Sequence, residues 1–200
     1  LAPADHLVSN PSSLVAAIRA ASAVVSDYIV TFGIHPTGPE TGYGYILQGD
    51  TLSSGVHRVA AFKEKPALDV ANQYLRDGGY SWNSGMFFFA PSVLLEEFSI
   101  AGADIRDGAH EAFRRARRDN NVEIHLDPEI FAKVRNEAVD RAVMEQTTRA
   151  AVAPCDIGWA DVGSWAELWR LSDKDAHGNA VSGSATLLDA DNNLIRGEGI

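Results

Sequence analysis

The sequence predicts an α/β fold, a mixed sheet flanked by helices. Three observations carry that expectation. Tyr28 to Ile34 is a β-branched and aromatic run with no polar residue but Thr31, the pattern of a strand covered on both faces. Runs of this kind alternate with segments whose apolar residues recur at helical spacing. Finally, 200 residues of which 46% are hydrophobic supply one domain with a sizeable core and the start of an appendage.

Taken in order, Leu1 to His6 reads as a short strand that delivers an acidic side chain, Asp5, at its carboxyl end. A strand already under way at Leu1 implies that an earlier segment is missing. Asn10 and Pro11 read as an N-cap and first helical position, and Leu14, Ala17, Ile18, Ala21 and Val25 follow at helical spacing. With Tyr28 to Ile34 next, strand, helix and strand predict a parallel unit. The stretch Gly38-Pro39-Glu40-Thr41-Gly42-Tyr43-Gly44-Tyr45 then reads as a loop in which Gly42 and Gly44 relax the φ restriction and let backbone amides approach a ligand.

Tyr45 to Leu47 and Val56 to Phe62 read as a hairpin with its turn between Gly49 and Gly55. Asp69 to Arg76 reads as a helix stopped by Gly78-Gly79, Met86 to Ala90 as a buried strand just after Asn83, and Pro91 as the start of a helix through Phe98. Ile105 to Arg118, Pro128 to Val134 and Val139 to Thr147 read as surface helices with a structural role. From Asp175 the texture changes to short β-like runs, Ala185 to Leu188 and Asn193 to Ile195, punctuated by Gly, Asn and Asp. The expected organisation is a doubly wound sheet with an inserted antiparallel lobe over residues 1–174 and a β appendage beginning in 175–200.

Composition narrows the partners. A net charge of −10 and a pI near 4.9 oppose a nucleic-acid surface. Arg114, Arg115, Arg117 and Arg118, interleaved with Ala112, Phe113 and Ala116, read as the solvated face of one helix. The single cysteine, Cys155, cannot form an internal disulfide, which points to a cytoplasmic location. No run approaches the roughly 20 apolar residues of a membrane span, and the six histidines lack zinc-ligand spacing.

Five separated motifs carry chemistry: Pro3-Ala4-Asp5-His6, the glycine loop, Phe62-Lys63-Glu64-Lys65-Pro66, Tyr80-Ser81-Trp82-Asn83-Ser84-Gly85-Met86-Phe87, and Gly158-Trp159-Ala160-Asp161-Val162-Gly163-Ser164-Trp165. Glu64 and Lys65 set opposite charges side by side at a strand end, where alternation would make them diverge onto different parts of one ligand. A carboxylate suits sugar hydroxyls and an ammonium suits a phosphate. Asn83 offers both a donor and an acceptor. On local sequence alone, Asp161 also fits an N-cap ahead of a helix over Ser164 to Leu171, and Asp5 a turn residue.

In order and spacing these motifs resemble the sugar-phosphate half of the sugar-1-phosphate nucleotidylyltransferases. The likeness is greatest to the bacterial mannose-1-phosphate guanylyltransferase branch, including its bifunctional members fused to a mannose-6-phosphate isomerase, and runs from Leu1 to about Leu171. It implies a Rossmann-like sheet of the nucleotide-diphospho-sugar transferase type. It implies transfer from GTP to mannose 1-phosphate, giving GDP-mannose, with Asp5 and Asp161 holding Mg2+ or Mn2+. By the same likeness Lys65 pairs with the sugar phosphate, and Glu40, Thr41, Gly42, Tyr43, Gly44, Glu64 and Asn83 bind substrate. The family's nucleotide signature, a glycine-rich loop with an arginine and a later lysine, has no match in these residues. The chain is therefore expected to be a fragment, inactive alone. Two alternatives stand beside it: a related enzyme using another sugar or base, and a non-catalytic sugar-phosphate sensor. Exposed β segments also suggest a homo-oligomer.

Overall fold

The computed structural model describes residues 1–119 and 122–197. In chain order the elements are β1 (His6–Val8), α1 (Pro11–Ala21), β2 (Ile29–Ile34), β3 (Tyr45–Ser53), β4 (Val56–Lys63), α2 (Leu68–Asp77) and β5 (Tyr80–Phe88). Next come α3 (Pro91–Ala101), α4 (Ala103–Arg114), β6 (Arg117–Asp119), β7 (Glu123–His125), α5 (Pro128–Phe131) and a π-turn (Asp140–Met144). The remainder are β8 (Ala150–Pro154), β9 (Trp159–Asp161), α6 (Trp165–Leu171), β10 (Ala180–Ser182) and β11 (Leu194–Arg196). They fall into two compact units, residues 1–2 with 10–157, and residues 3–9 with 158–200. The last three residues of the expected appendage, 198–200, lie outside the described residues.

The first unit is built on a mixed sheet in the order β2-β5-β3-β4-β8 that closes on itself. Only β2 and β8 run parallel; the other pairs are antiparallel. The expected doubly wound arrangement is corrected here, and register shifts supply the reason. Three irregularities along the β3–β4 hairpin bend it, as bulges do, and its far end brings His57 opposite Val152 and Arg58 opposite Ala151 to close the ring. The hairpin turn is also tighter than expected, Ser54-Gly55, with Gly55 at φ 76; residues 49–53 are strand.

Local signals behave as their chemistry dictates. Asn10 caps α1 by accepting from the Ser13 amide, with Pro11 at the first helical position, although the helix ends at Ala21 and excludes Val25. All six residues of β2 are buried. Gly78, at φ 72, ends α2. Helix α4 stops at Arg114, so the four arginines do not share one helix: Arg114 and Arg115 grip Glu111, while Arg117 and Arg118 lie on β6. The two guanidiniums, Arg114 foremost, hold the Glu111 carboxyl down to about 2. Residues 139–147 are not a surface helix. Ala142, Val143 and Met144 of the π-turn sit in the core with Ile29, Phe87, Val93 and Ala150, each large side chain contributing about 2 kcal/mol by burial.

In the second unit, β1 pairs antiparallel with β9, placing His6 opposite Asp161 and Val8 opposite Trp159. Strand β1 therefore starts at His6 instead of ending there, it does not pair with β2, and Asp5 lies exposed in the bend before it. Strands β10 and β11 pair in parallel, Ala180 opposite Leu194. The first expected run, Ala185 to Leu188, carries no strand; the pairing partner comes earlier, at residues 180–182. Asn179, buried between them, accepts the Asn193 backbone amide at 3.0 Å and donates to the Ala190 carbonyl at 2.8 Å.

Candidate active site

In the first unit three stretches meet around Gly44. The glycine's carbonyl accepts the Asn83 amide at 2.7 Å. A Cβ at Gly44 would lie 2.7 Å from Glu64 Oε2 and 3.2 Å from Asn83 Cβ, so the glycine is there to leave room for the Glu64 carboxylate. Neither Gly42 nor Gly44 has a positive φ, and Gly42 faces open space; the loop uses the missing side chain at Gly44, not backbone freedom. Tyr45 donates to the Gly38 carbonyl at 3.4 Å, and Trp82 meets Tyr43 edge-on at 5.2 Å, which ties the loop to the sheet. Glu40, Thr41 and Gly42 lie exposed on it, and Tyr43 is half-buried.

Glu64 and Lys65 stand beyond the end of β4, where strand alternation no longer applies. Lys65 adopts φ 46, unusual for a side chain with a Cβ and more so before a proline. Its ammonium turns back to within 3.4 Å of Glu64 Oε1. The two side chains thus converge, correcting the expected divergence, and form one bipolar spot with a shielded carboxylate and an exposed ammonium. Burial, then the neighbouring Asp140, push the Glu64 carboxyl up, with Lys65 opposing. Lys63 donates to Glu145 at 3.0 Å, and the same Glu145 oxygen accepts the Glu64 backbone amide at 3.0 Å.

Asn83 lies inside β5, not ahead of a strand, and is buried. Its Oδ1 accepts from Thr31 Oγ1 at 2.7 Å and from the Gly85 amide at 3.2 Å, while its Nδ2 donates to Asp140 Oδ1 at 2.8 Å. The Gly85 N–H can only donate, which fixes the amide's orientation. Both acceptor positions are therefore filled and one N–H is left; Asn83 offers a ligand a donor, not the donor and acceptor expected of it. Asp140 and Glu145 are the residues that sequence reasoning missed. Their signal was a run of acidic and apolar residues, 139–147, read as a surface helix with a structural role.

In the second unit, Asp161 ends β9, and Asp5 precedes the residue that pairs with it. His6 Nε2 is 3.9 Å from Asp161 Oδ1, and His6 Nδ1 takes the Trp159 indole N–H at 3.1 Å. The N-cap reading of Asp161 is excluded: Ser164 caps α6 by accepting from the Glu167 amide at 3.1 Å. Among the described residues, no three His, Cys, Asp or Glu side chains are grouped to hold a metal. Two carboxylates delivered to one end of a strand pair nevertheless suit magnesium, which binds through one or two carboxylates and completes its shell with phosphate oxygens and water.

A shielded carboxylate, an exposed ammonium and an oriented amide thus lie together on the mixed sheet of an α/β protein. Residues 1–178 match the nucleotidyl transferase family, and the chain belongs to it. It is similar to the alginate biosynthesis protein AlgA of Pseudomonas putida, 42% identical over 200 residues, covering 98% of this chain and 41% of that protein. The mannose-1-phosphate guanylyltransferase of Salmonella montevideo is 42% identical over 202 residues, with 98% and 42% covered. A solved structure described as a mannose-1-phosphate geranyltransferase from Thermus thermophilus superposes with a TM-score of 0.78 at 30% identity, covering 97% of this chain and 57% of that one. The chain thus spans about two fifths of the length of these curated relatives. Among the described residues no helix is long and apolar enough to cross a membrane.

Proposed function

We propose that the protein to which this chain belongs is a cytoplasmic enzyme that transfers a guanylyl group from GTP to mannose 1-phosphate, giving GDP-mannose and pyrophosphate. The observation that carries the reading is the convergence of Glu64, Lys65 and Asn83 about Gly44. Glu64 accepts sugar hydroxyls, Asn83 donates to one, and the exposed Lys65 ammonium pairs with the sugar phosphate. The loop from Glu40 through Gly44 lines the sugar, with backbone contact from Gly42 and Gly44. The sugar-phosphate oxygen attacks the α-phosphorus of GTP; a new P–O bond forms there, the bond to the bridging oxygen breaks, and pyrophosphate departs with that electron pair. The chain's part is to hold the nucleophile in line and to offset its charge, Lys65 foremost. Asp5 and Asp161 would hold Mg2+ or Mn2+, which would supply Lewis-acid neutralisation of the phosphates. Residues 175–200 begin a β-rich appendage, which can pair between subunits, and the relatives' greater length accommodates an isomerase module.

The test is calorimetric titration of GDP-mannose into the full-length protein, with and without magnesium, repeated on Asp161→Asn. Magnesium-dependent binding that the substitution abolishes supports the reading. Tight binding indifferent to both overturns the metal role and favours a sugar-phosphate sensor.

A further inference from the structure

The π-turn, with the glutamate that follows it, addresses both halves of the Glu64–Asn83 cluster. In an α-helix, residues five apart point about 140° from each other around the axis. Here the Glu145 amide bonds the Asp140 carbonyl at 3.0 Å, an i to i+5 closure that widens the turn and stacks the two residues on one side. Asp140 thereby meets Asn83 at 2.8 Å, while Glu145 takes the Glu64 amide and Lys63. Ala142, Val143 and Met144, all buried, anchor the turn in the core. Single π-turns of this kind concentrate at functional sites.

Resting on the sugar-phosphate reading above, we infer that Asp140 is a positioning residue for Asn83: it takes one N–H of the amide and aims the other at the sugar. Thr31 and Gly85 fill the amide oxygen, so the orientation is settled on three sides. The consequence is specificity. The hydroxyl that meets Asn83 accepts from nitrogen and must give its own proton elsewhere, and the Glu64 carboxylate flanking the same Gly44 is the acceptor beside it. The site therefore selects a hydroxyl placed to accept and donate at once. An amide free to rotate would bind either arrangement and discriminate less.

The test uses the full-length protein and its Asp140→Ala, Asp140→Asn, Asn83→Ala and double Asp140→Ala/Asn83→Ala variants, each titrated with mannose 1-phosphate and with inorganic phosphate. Asp140→Ala is expected to weaken mannose 1-phosphate about tenfold, the scale of one lost hydrogen bond, and leave inorganic phosphate unchanged. Asp140→Asn, which keeps an acceptor oxygen, recovers affinity to within about threefold, and the double variant binds no worse than Asn83→Ala alone. Unchanged affinity in Asp140→Ala, or additive losses in the double variant, overturns the inference. The Asn83 side-chain amide resonances, identified by their loss in Asn83→Asp, give an independent readout. Asp140→Ala shifts the bonded proton, and mannose 1-phosphate shifts the other. If the wild type binds no hexose phosphate, the functional reading fails, and amide resonances untouched by Asp140→Ala would sink the positioning role separately.

Discussion

Replacing Gly44 by alanine separates room for a side chain from backbone freedom. The new Cβ would stand 2.7 Å from Glu64 Oε2, short of ordinary contact at 3.4 Å by roughly 0.7 Å, and 3.2 Å from Asn83 Cβ, short by roughly 0.2 Å. The carboxylate is the far end of a flexible side chain and yields; the strand around Asn83 gives a little. The expected cost in stability is therefore at the low end of overpacking, about 1 kcal/mol, read as a modest shift of the urea midpoint with unchanged slope. The cost in binding is larger, because the displaced carboxylate is the one that accepts hydroxyls and pairs with Lys65 at 3.4 Å. Misplacement of a positioned group by about 1 Å costs up to about a hundredfold, so GDP-mannose affinity should fall between about tenfold and a hundredfold. Gly38→Ala, where a Cβ meets nothing within 4 Å, should leave both stability and affinity alone. Wild-type affinity in Gly44→Ala would refute the assignment of that glycine to the Glu64 carboxylate. A collapse of the fold would refute the estimate that Glu64 can move.

Further expectations concern the second unit and two titratable groups. Asp161→Asn should leave the melting temperature of the protein nearly unchanged, since Ser164 is the cap of α6, whereas Ser164→Ala should cost about 1 kcal/mol by thermal denaturation. Burial and then Asp140 raise the Glu64 carboxyl above its ordinary 4.5, so the folded state holds its proton more tightly than the unfolded chain; the stability this gives is full at acid pH and is lost as pH rises through the folded value. Glu64→Gln should accordingly melt higher than wild type at pH 7, with the gain vanishing near pH 4; a gain that grows on acidification contradicts the cause. Burial pushes the Cys155 thiol up to about 11. Alkylation by iodoacetamide should be slow at pH 7.5 and accelerate only toward that value, and rapid labelling at neutral pH would show the thiol to be accessible and ionised.

The parts of this protein that were legible in its sequence are those governed by neighbours along the chain. Asn10-Pro11 announced α1, Gly78 stopped α2, and the run 28–34, polar only at Thr31, formed a strand covered on both faces, because capping, left-handed backbone and burial of both strand faces depend on a few consecutive residues. The motifs around Asp5, Glu64, Asn83 and Asp161 stood out through their resemblance, in order and spacing, to a known family. Tertiary structure alone decided pairing and convergence. It set β1 against β9, and it closed the sheet through β8 because bulges along β3–β4 accumulate a bend that no short window displays. It put Asp140 on Asn83 across 57 residues of sequence. It did so through a π-turn whose acidic residues, five apart, would point apart on the helix that their spacing suggested.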